Sequence, residues 1–403
     1  MTVPESQISF SRELRLVLLT AKTRLGEAER AELTRLCRES LHWETVLKLA
    51  GFHRTLPLLN LHLANEAGSF VPAKIIQQLR TQFQLGAQRN LFLARELIKI
   101  LDLFHANGIA AVPFKGPLLA IRFYGHIGYR NFLDLDLLVR KDSVLRAAQL
   151  LEFGGYVRPD LQTGVLEQEH LQSQLGFDFR RSDGKVQVEL NWALIQKWLR
   201  FRLDPEALWT RLGRARLAGV EIPVLEVEDE FLFLCAHGAK HQWERAFWIS
   251  DLGEIIRACP SLNWDRLLAR SKQTGSRRVL LWGVRLAHDL LGAEVPPHVL
   301  KLAQDDAVVG QLTRKIMEQL AAQQEPQPGP QSKSDMLYLL EKERFTDKGA
   351  YLVHLGRLLI TPTAKDRQFA KLPQALSAFY FLLRPFRVLS ERLLPRLRAA
   401  KGS

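Results

Sequence analysis

Between Phe132 and Val139 the chain alternates so strictly that an extended strand is its natural conformation. Leu133, Leu135, Leu137 and Val139 fall on one face of such a strand, and Asp134, Asp136 and Leu138 on the other. Two carboxylates at i and i+2 then stand roughly 6–7 Å apart along the backbone. Like charges held that close repel, so the pattern calls for a cation between them. Mg²⁺ (or Mn²⁺) meets the need, because it takes hard oxygen ligands and leaves positions open for phosphate.

The neighbouring segments fit the same chemistry. Ile109 to Phe114 is a short apolar run ending in Lys115-Gly116-Pro117, which reads as a buried strand, a glycine turn and a helix reaching about Tyr124. Lys115 and Gly116 form a phosphate grip: glycine lets a phosphate approach the backbone, lysine adds a cation, and the helix start points its positive end there. Asp142 and Ser143 cap a further helix that Gly154-Gly155 closes. A hairpin follows, Phe177 to Arg181 and Val186 to Leu190, turned at Asp183-Gly184. A two-residue turn places Asp178 opposite Glu189, so Glu189 is the expected third carboxylate and Asp178 its substitute. Arg130 either pairs with a carboxylate or binds a triphosphate. His237, Lys240 and His241 share helical spacing but lack the glutamate of a zinc-protease motif. They are expected to line the cleft, with Lys240 and His241 near phosphate or acceptor.

The 403 residues exceed one small core and predict two or three packed units. Residues 1–107 read as a helical region, 108–192 as the core, and 193–322 as a helical domain completing the cleft. A Pro/Gln/Gly/Ser stretch marks 323–335 as a linker, and 336–403 is a basic, amphipathic C-terminal region. No leader peptide is evident, and no run of 18 apolar residues predicts a membrane span. Cys37, Cys235 and Cys259 are too scattered for a zinc or disulfide framework, which fits a reducing cytoplasm. The formal charge is +13, and from Lys365 onward nine Lys/Arg face only Asp366 and Glu391. Pro385 and Pro395 split that end into two short amphipathic pieces. These are expected either to dock on the helical domain or to make peripheral contact with an anionic membrane surface, with docking preferred.

The runs "FKGPLLAIRFYGHIGYRNFLDLDLLV", "LLEFGGY", "VQVELNW" and "EDEFLFLCAHGAKHQWERAFWISDL" resemble the uncharacterised bacterial nucleotidyltransferase family of the DNA polymerase β-like superfamily. The likeness spans roughly residues 85–290. It implies an α+β fold: a small mixed β-sheet core flanked by N- and C-terminal helical regions. It also implies transfer of a nucleoside monophosphate from a nucleoside triphosphate, with Asp134, Asp136 and Glu189 as metal ligands. The acceptor hydroxyl, on a small molecule, protein or RNA, is left open. Two departures stand out: Lys115-Gly116 replaces the superfamily's usual Gly-Ser, and Asn191 stands where the family often has histidine. Asn191 cannot shuttle a proton at neutral pH. The competing expectation is a catalytically silent module that keeps the fold and binds a partner through its basic surface.

Overall fold

The computed structural model describes residues 8–159, 171, 174–323, 333–361, 366, 369 and 379–387. Residues up to Glu341 form one compact unit and Lys342 onward a second.

The first unit begins with four helices, α1 (Arg12–Leu19), α2 (Glu27–Arg38), α3 (Trp43–Phe52) and α4 (Leu56–Glu66). They lead into α5 (Ala73–Ala106), which at about 1.5 Å per residue is roughly 50 Å long. Its burial explains its length. Ile75, Ile76 and Leu79 are buried at one end, where α4 packs along it; Leu93, Leu97, Ile100 and Phe104 are buried at the other, against the sheet. One helix therefore joins the N-terminal layer to the core.

The core strands are β1 (Ala111–Pro113), β2 (Leu135–Val139), β3 (Tyr156–Val157), β4 (Gly176–Arg181) and β5 (Gln187–Asn191), in the order β1-β2-β5-β4-β3. Only β2 and β5 are parallel. Helix α6 (Gly116–Tyr124) follows β1, and α7 (Val144–Phe153) follows β2. Leu135, Leu137 and Val139 share a core with Val144, Ala147, Ala148 and Leu151 of α7 and with the C-terminal half of α5.

The alternating run forms a shorter strand than its pattern suggests. Pairing with β1 stops at the Lys115-Gly116 turn, so residues 132–134 precede the strand and Leu133 is 44% exposed. The β4/β5 hairpin has the expected register, with Asp178 opposite Glu189; Gly184 takes the positive φ (72°) its turn needs.

The region after residue 193 departs from the helical expectation. It contains a second hairpin, β6 (Gly213–Leu217) and β7 (Val220–Val224), turned at Ala218-Gly219 with both φ positive (50° and 86°). That is the turn whose twist suits a two-residue hairpin. Leu217, Ile222 and Val224 point into the core, and β7 packs beside β1.

Helix returns with α8 (Pro205–Trp209) before this hairpin, and then α9 (Val227–Lys240), α10 (Ala246–Ala258), α11 (Trp264–Thr274), α12 (Arg277–Leu291), α13 (Pro297–Asp305), α14 (Ala307–Ala321) and α15 (Asp335–Glu341). Residues 324–332 of the expected linker lie outside the described residues. Its end is anchored, because Ser334 and Gln242 exchange two hydrogen bonds, and α15 belongs to the first unit.

In the second unit, α16 (Phe345–Ile360) is followed by a helical stretch at 380–387, and Asp366 pairs with Arg384 and Arg387. Of the C-terminal stretch expected to form two amphipathic pieces, residues 375–378 and everything from 388 onward lie outside the described residues. Among those described, no helix is long and apolar enough to cross a membrane.

Candidate active site

Parallel pairing of β2 and β5 sets Asp136 beside Glu189, and antiparallel pairing of β5 and β4 sets Glu189 beside Asp178. Three acidic residues thus form one row across three adjacent strands, about 4.8 Å from strand to strand. Asp134 stands two residues before Asp136, where the chain enters the strand. Burial and mutual repulsion push the carboxyls of Asp134, Asp136 and Glu189 above their usual pKa, and Asp136 and Glu189 share a hydrogen bond.

One cation stands among them. The Lys115 ammonium lies 2.7 Å from Asp136 Oδ1. Burial works against its charge, but Asp136, Glu189 and Asp134 together hold its pKa above the ordinary lysine value. Its position follows from the next residue. Gly116 has φ 53°, and a Cβ there would lie 3.7 Å from the Asp134 carbonyl and against the Phe132 ring. Those are ordinary van der Waals distances, so it is the positive φ of the turn that calls for glycine. Helix α6 starts at that glycine with Pro117 in its first turn, and since Gly116 lines the cleft the helix begins at its wall, the end that carries unpaired N–H groups. Among the described residues no three His, Cys, Asp or Glu side chains stand arranged to hold a metal ion as they are.

The cleft encloses about 290 Å³, and residues from four regions line it. Lys240 and His241, at the end of α9, both reach it. His241 stacks on Trp248, with ring centroids 4.6 Å apart and planes 18° from parallel. Burial, aided by Lys333, Lys240 and Lys115, depresses the His241 pKa to about 3, so its imidazole is neutral. His237, one turn earlier, is likewise kept neutral by burial and nearby cations. Gly238 fixes where α9 ends: a Cβ there would fall 2.2 Å from the Trp243 ring, which folds back onto the helix.

Arg130 lines the cleft, but its guanidinium is engaged by Asp251 at 2.6 and 2.8 Å. The Tyr124 hydroxyl donates to the same carboxylate at 2.6 Å. Asn191 donates to the Glu189 carbonyl, and its amide crowds Gly176 so closely that a Cβ there would be 2.4 Å from Oδ1. Packing against β4 accounts for this side chain.

Sequence reasoning missed Arg54, Phe247 and Trp248 in the cleft lining, and Lys333, whose ammonium lies 3.5 Å from His241 Nδ1. Arg54 sits in the turn between α3 and α4 with φ 57°, its guanidinium 5.1 Å from the Phe247 ring centroid and within electrostatic reach of Asp134. His53 holds that turn in place, since its Nδ1 accepts the Ala246 N–H and its carbonyl accepts the Phe247 N–H. No local pattern announces such a residue; only the docking of the N-terminal layer on α10 brings it to the site.

A larger cavity, about 510 Å³, lies at the other ends of β2 and β5 around Trp192, Phe201 and Trp209. Its lining is mostly apolar and gathers no carboxylate set, so the smaller cleft is the candidate site. No curated protein and no solved structure matches the chain. The model of a family described as uncharacterised nucleotidyltransferase matches residues 39–292, more than half of the sequence, and takes in every residue that lines the cleft; the chain belongs to that family.

Proposed function

We propose that this protein transfers a nucleoside monophosphate from a nucleoside triphosphate such as ATP to an acceptor hydroxyl, on a polymerase β-like core. The observation that carries the reading is the gathering of Asp134, Asp136 and Glu189 around a single ammonium beside a helix start. The donor set suits Mg²⁺ or Mn²⁺: hard carboxylate oxygens, all held above their usual pKa by burial and by one another's charge. Bound by Asp134, Asp136 and Glu189, such an ion would supply charge to polarise the transferred phosphoryl group and the attacking oxygen.

The chain's own groups supply the rest. Lys115, freed from Asp136, reaches the outer phosphates that the N–H groups of α6 also face. Arg54, Lys240 and Lys333 extend the positive wall, and neutral His241 and His237 offer hydrogen bonds without adding repulsion. Asp178 extends the carboxylate row from β4. Rate enhancement then comes from holding acceptor and triphosphate in line. Small-molecule, protein and RNA acceptors all remain compatible with the cleft. The test is incubation of the full chain with nucleotide labelled at the α-phosphate, divalent ion and cell extract. Covalent label on an acceptor fraction, absent when the label is on the γ-phosphate, is the expected result. Absence of both transfer and calorimetric nucleotide binding would reject the proposal and leave the silent binding module.

A further inference from the structure

Helix α16 is inside out for a helix in water. Phe345, Leu352, Val353 and Ile360 are 89%, 54%, 57% and 48% exposed, whereas Asp347 and Tyr351 are buried. At about 100° per residue, those four apolar side chains and Gly349 and Gly356 fall within an arc of roughly 100°. Among the described residues, no atom lies within 4 Å of where a Cβ on either glycine would stand, so none of them covers the stripe there. Leu358 is also exposed, outside the arc. Residues 379–387 of the same unit add exposed Phe379, Phe381, Leu382 and Phe386.

Charge decides what covers the stripe. Lys348 and Arg357 each project about 40° outside one edge of it, one on either side. The nearest carboxylate on the helix, Asp347, lies on the far, buried side. From Lys342 to the end, thirteen Lys/Arg stand against four Asp/Glu. A second copy of the helix would set cations against cations along both edges, which opposes pairing. An anionic lipid surface accepts the whole pattern: apolar side chains enter the acyl boundary while flanking cations reach the phosphates.

We propose that α16 is a membrane-surface anchor whose apolar stripe, flanked by Lys348 and Arg357, lies on anionic lipid. Flotation of the full chain with vesicles of phosphatidylcholine mixed with phosphatidylglycerol should recover it in the lipid fraction, and vesicles of phosphatidylcholine alone should recover much less. Leu352→Ser combined with Val353→Ser, at exposed positions that leave the core intact, should weaken binding to the mixed vesicles at least tenfold. Lys348→Glu with Arg357→Glu should do the same and abolish the preference for phosphatidylglycerol. Circular dichroism of each variant checks that its helices persist. Failure of the unaltered chain to float, or flotation unchanged in the folded variants, would overturn the proposal. A concentration-dependent dimer that Leu352→Ser dissociates, without vesicle binding, would overturn it in favour of self-association.

Discussion

Lys115–Asp136 and Arg130–Asp251 are both buried cation–carboxylate pairs, and their surroundings differ in one respect that matters. Asp251 receives two guanidinium hydrogen bonds and a tyrosine hydroxyl, so one carboxylate is fully satisfied by donors. Around Lys115 the ratio is reversed: one ammonium faces Asp136, Asp134 and Glu189. A buried pair with matched partners ties elements together, here the loop after α6 to α10. A buried cluster in which three carboxylates crowd one ammonium, with Arg54 and Lys240 at its rim, is the arrangement the proposed metal site would use. Charge burial alone does not mark a functional site; the imbalance does.

The comparison is broken first at its structural half. Asp251→Asn should cost about 3–5 kcal/mol, because it leaves the Arg130 guanidinium buried without its counter-charge. Denaturant unfolding measures this, and a variant as stable as the parent would mean that the pair ties nothing. At the other half, Asp134→Asn removes one of several crowded carboxylates. It should lower transfer on the order of 10²–10³-fold while leaving metal-free stability within about 0.5 kcal/mol. Activity retained in that variant would remove Asp134 from the site.

The scaffold that presents Arg54 has its own signature in pH. Burial, with Arg245 nearby, depresses the His53 pKa to about 3. Its Nδ1 is already an acceptor, so the folded state disfavours protonation. The unfolded chain binds that proton near pH 6.5, and stability is therefore present above that value and lost as pH falls toward 3. By pH 5 one such group contributes a loss of up to about 2 kcal/mol. His53→Asn should flatten the fall between pH 6.5 and 5, measured as denaturation midpoints; an unaltered slope would assign the acid sensitivity elsewhere. The smallest effect concerns Lys115 itself. Lys115→Ala should weaken triphosphate binding roughly tenfold, about 1.4 kcal/mol, and monophosphate binding much less. Equal weakening of both, by calorimetry, would mean that Lys115 serves only its carboxylate neighbours.

What could be read in advance follows the same division. Alternation and glycine spacing are local signals, so β1, α6, β2, α7 and the β4/β5 register were all legible, and with them the acidic row. Arg54 was not, because a lone arginine in a helix–helix turn looks like any solvated surface charge until α3 and α4 dock on α10. Lys333 was hidden in a stretch whose composition reads as linker. The β6/β7 hairpin was passed over because its two-residue turn is Ala218-Gly219, with alanine where asparagine or aspartate usually announces the bend. Arg130 was legible as a cation but not as a committed one, since its partner lies 121 residues away.

Gly238 carries a consequence for anyone who scans this sequence by mutation. It has no side chain and no chemistry, but the Trp243 indole occupies the space a methyl group would need. Any substitution there displaces the end of α9, and with it the two side chains that follow, Lys240 and His241. A screen scoring product alone would therefore rank this glycine beside the aspartates. Scored for folded protein as well, the two kinds of position separate: loss at Asp134 leaves the abundance of the chain intact, and loss at Gly238 does not.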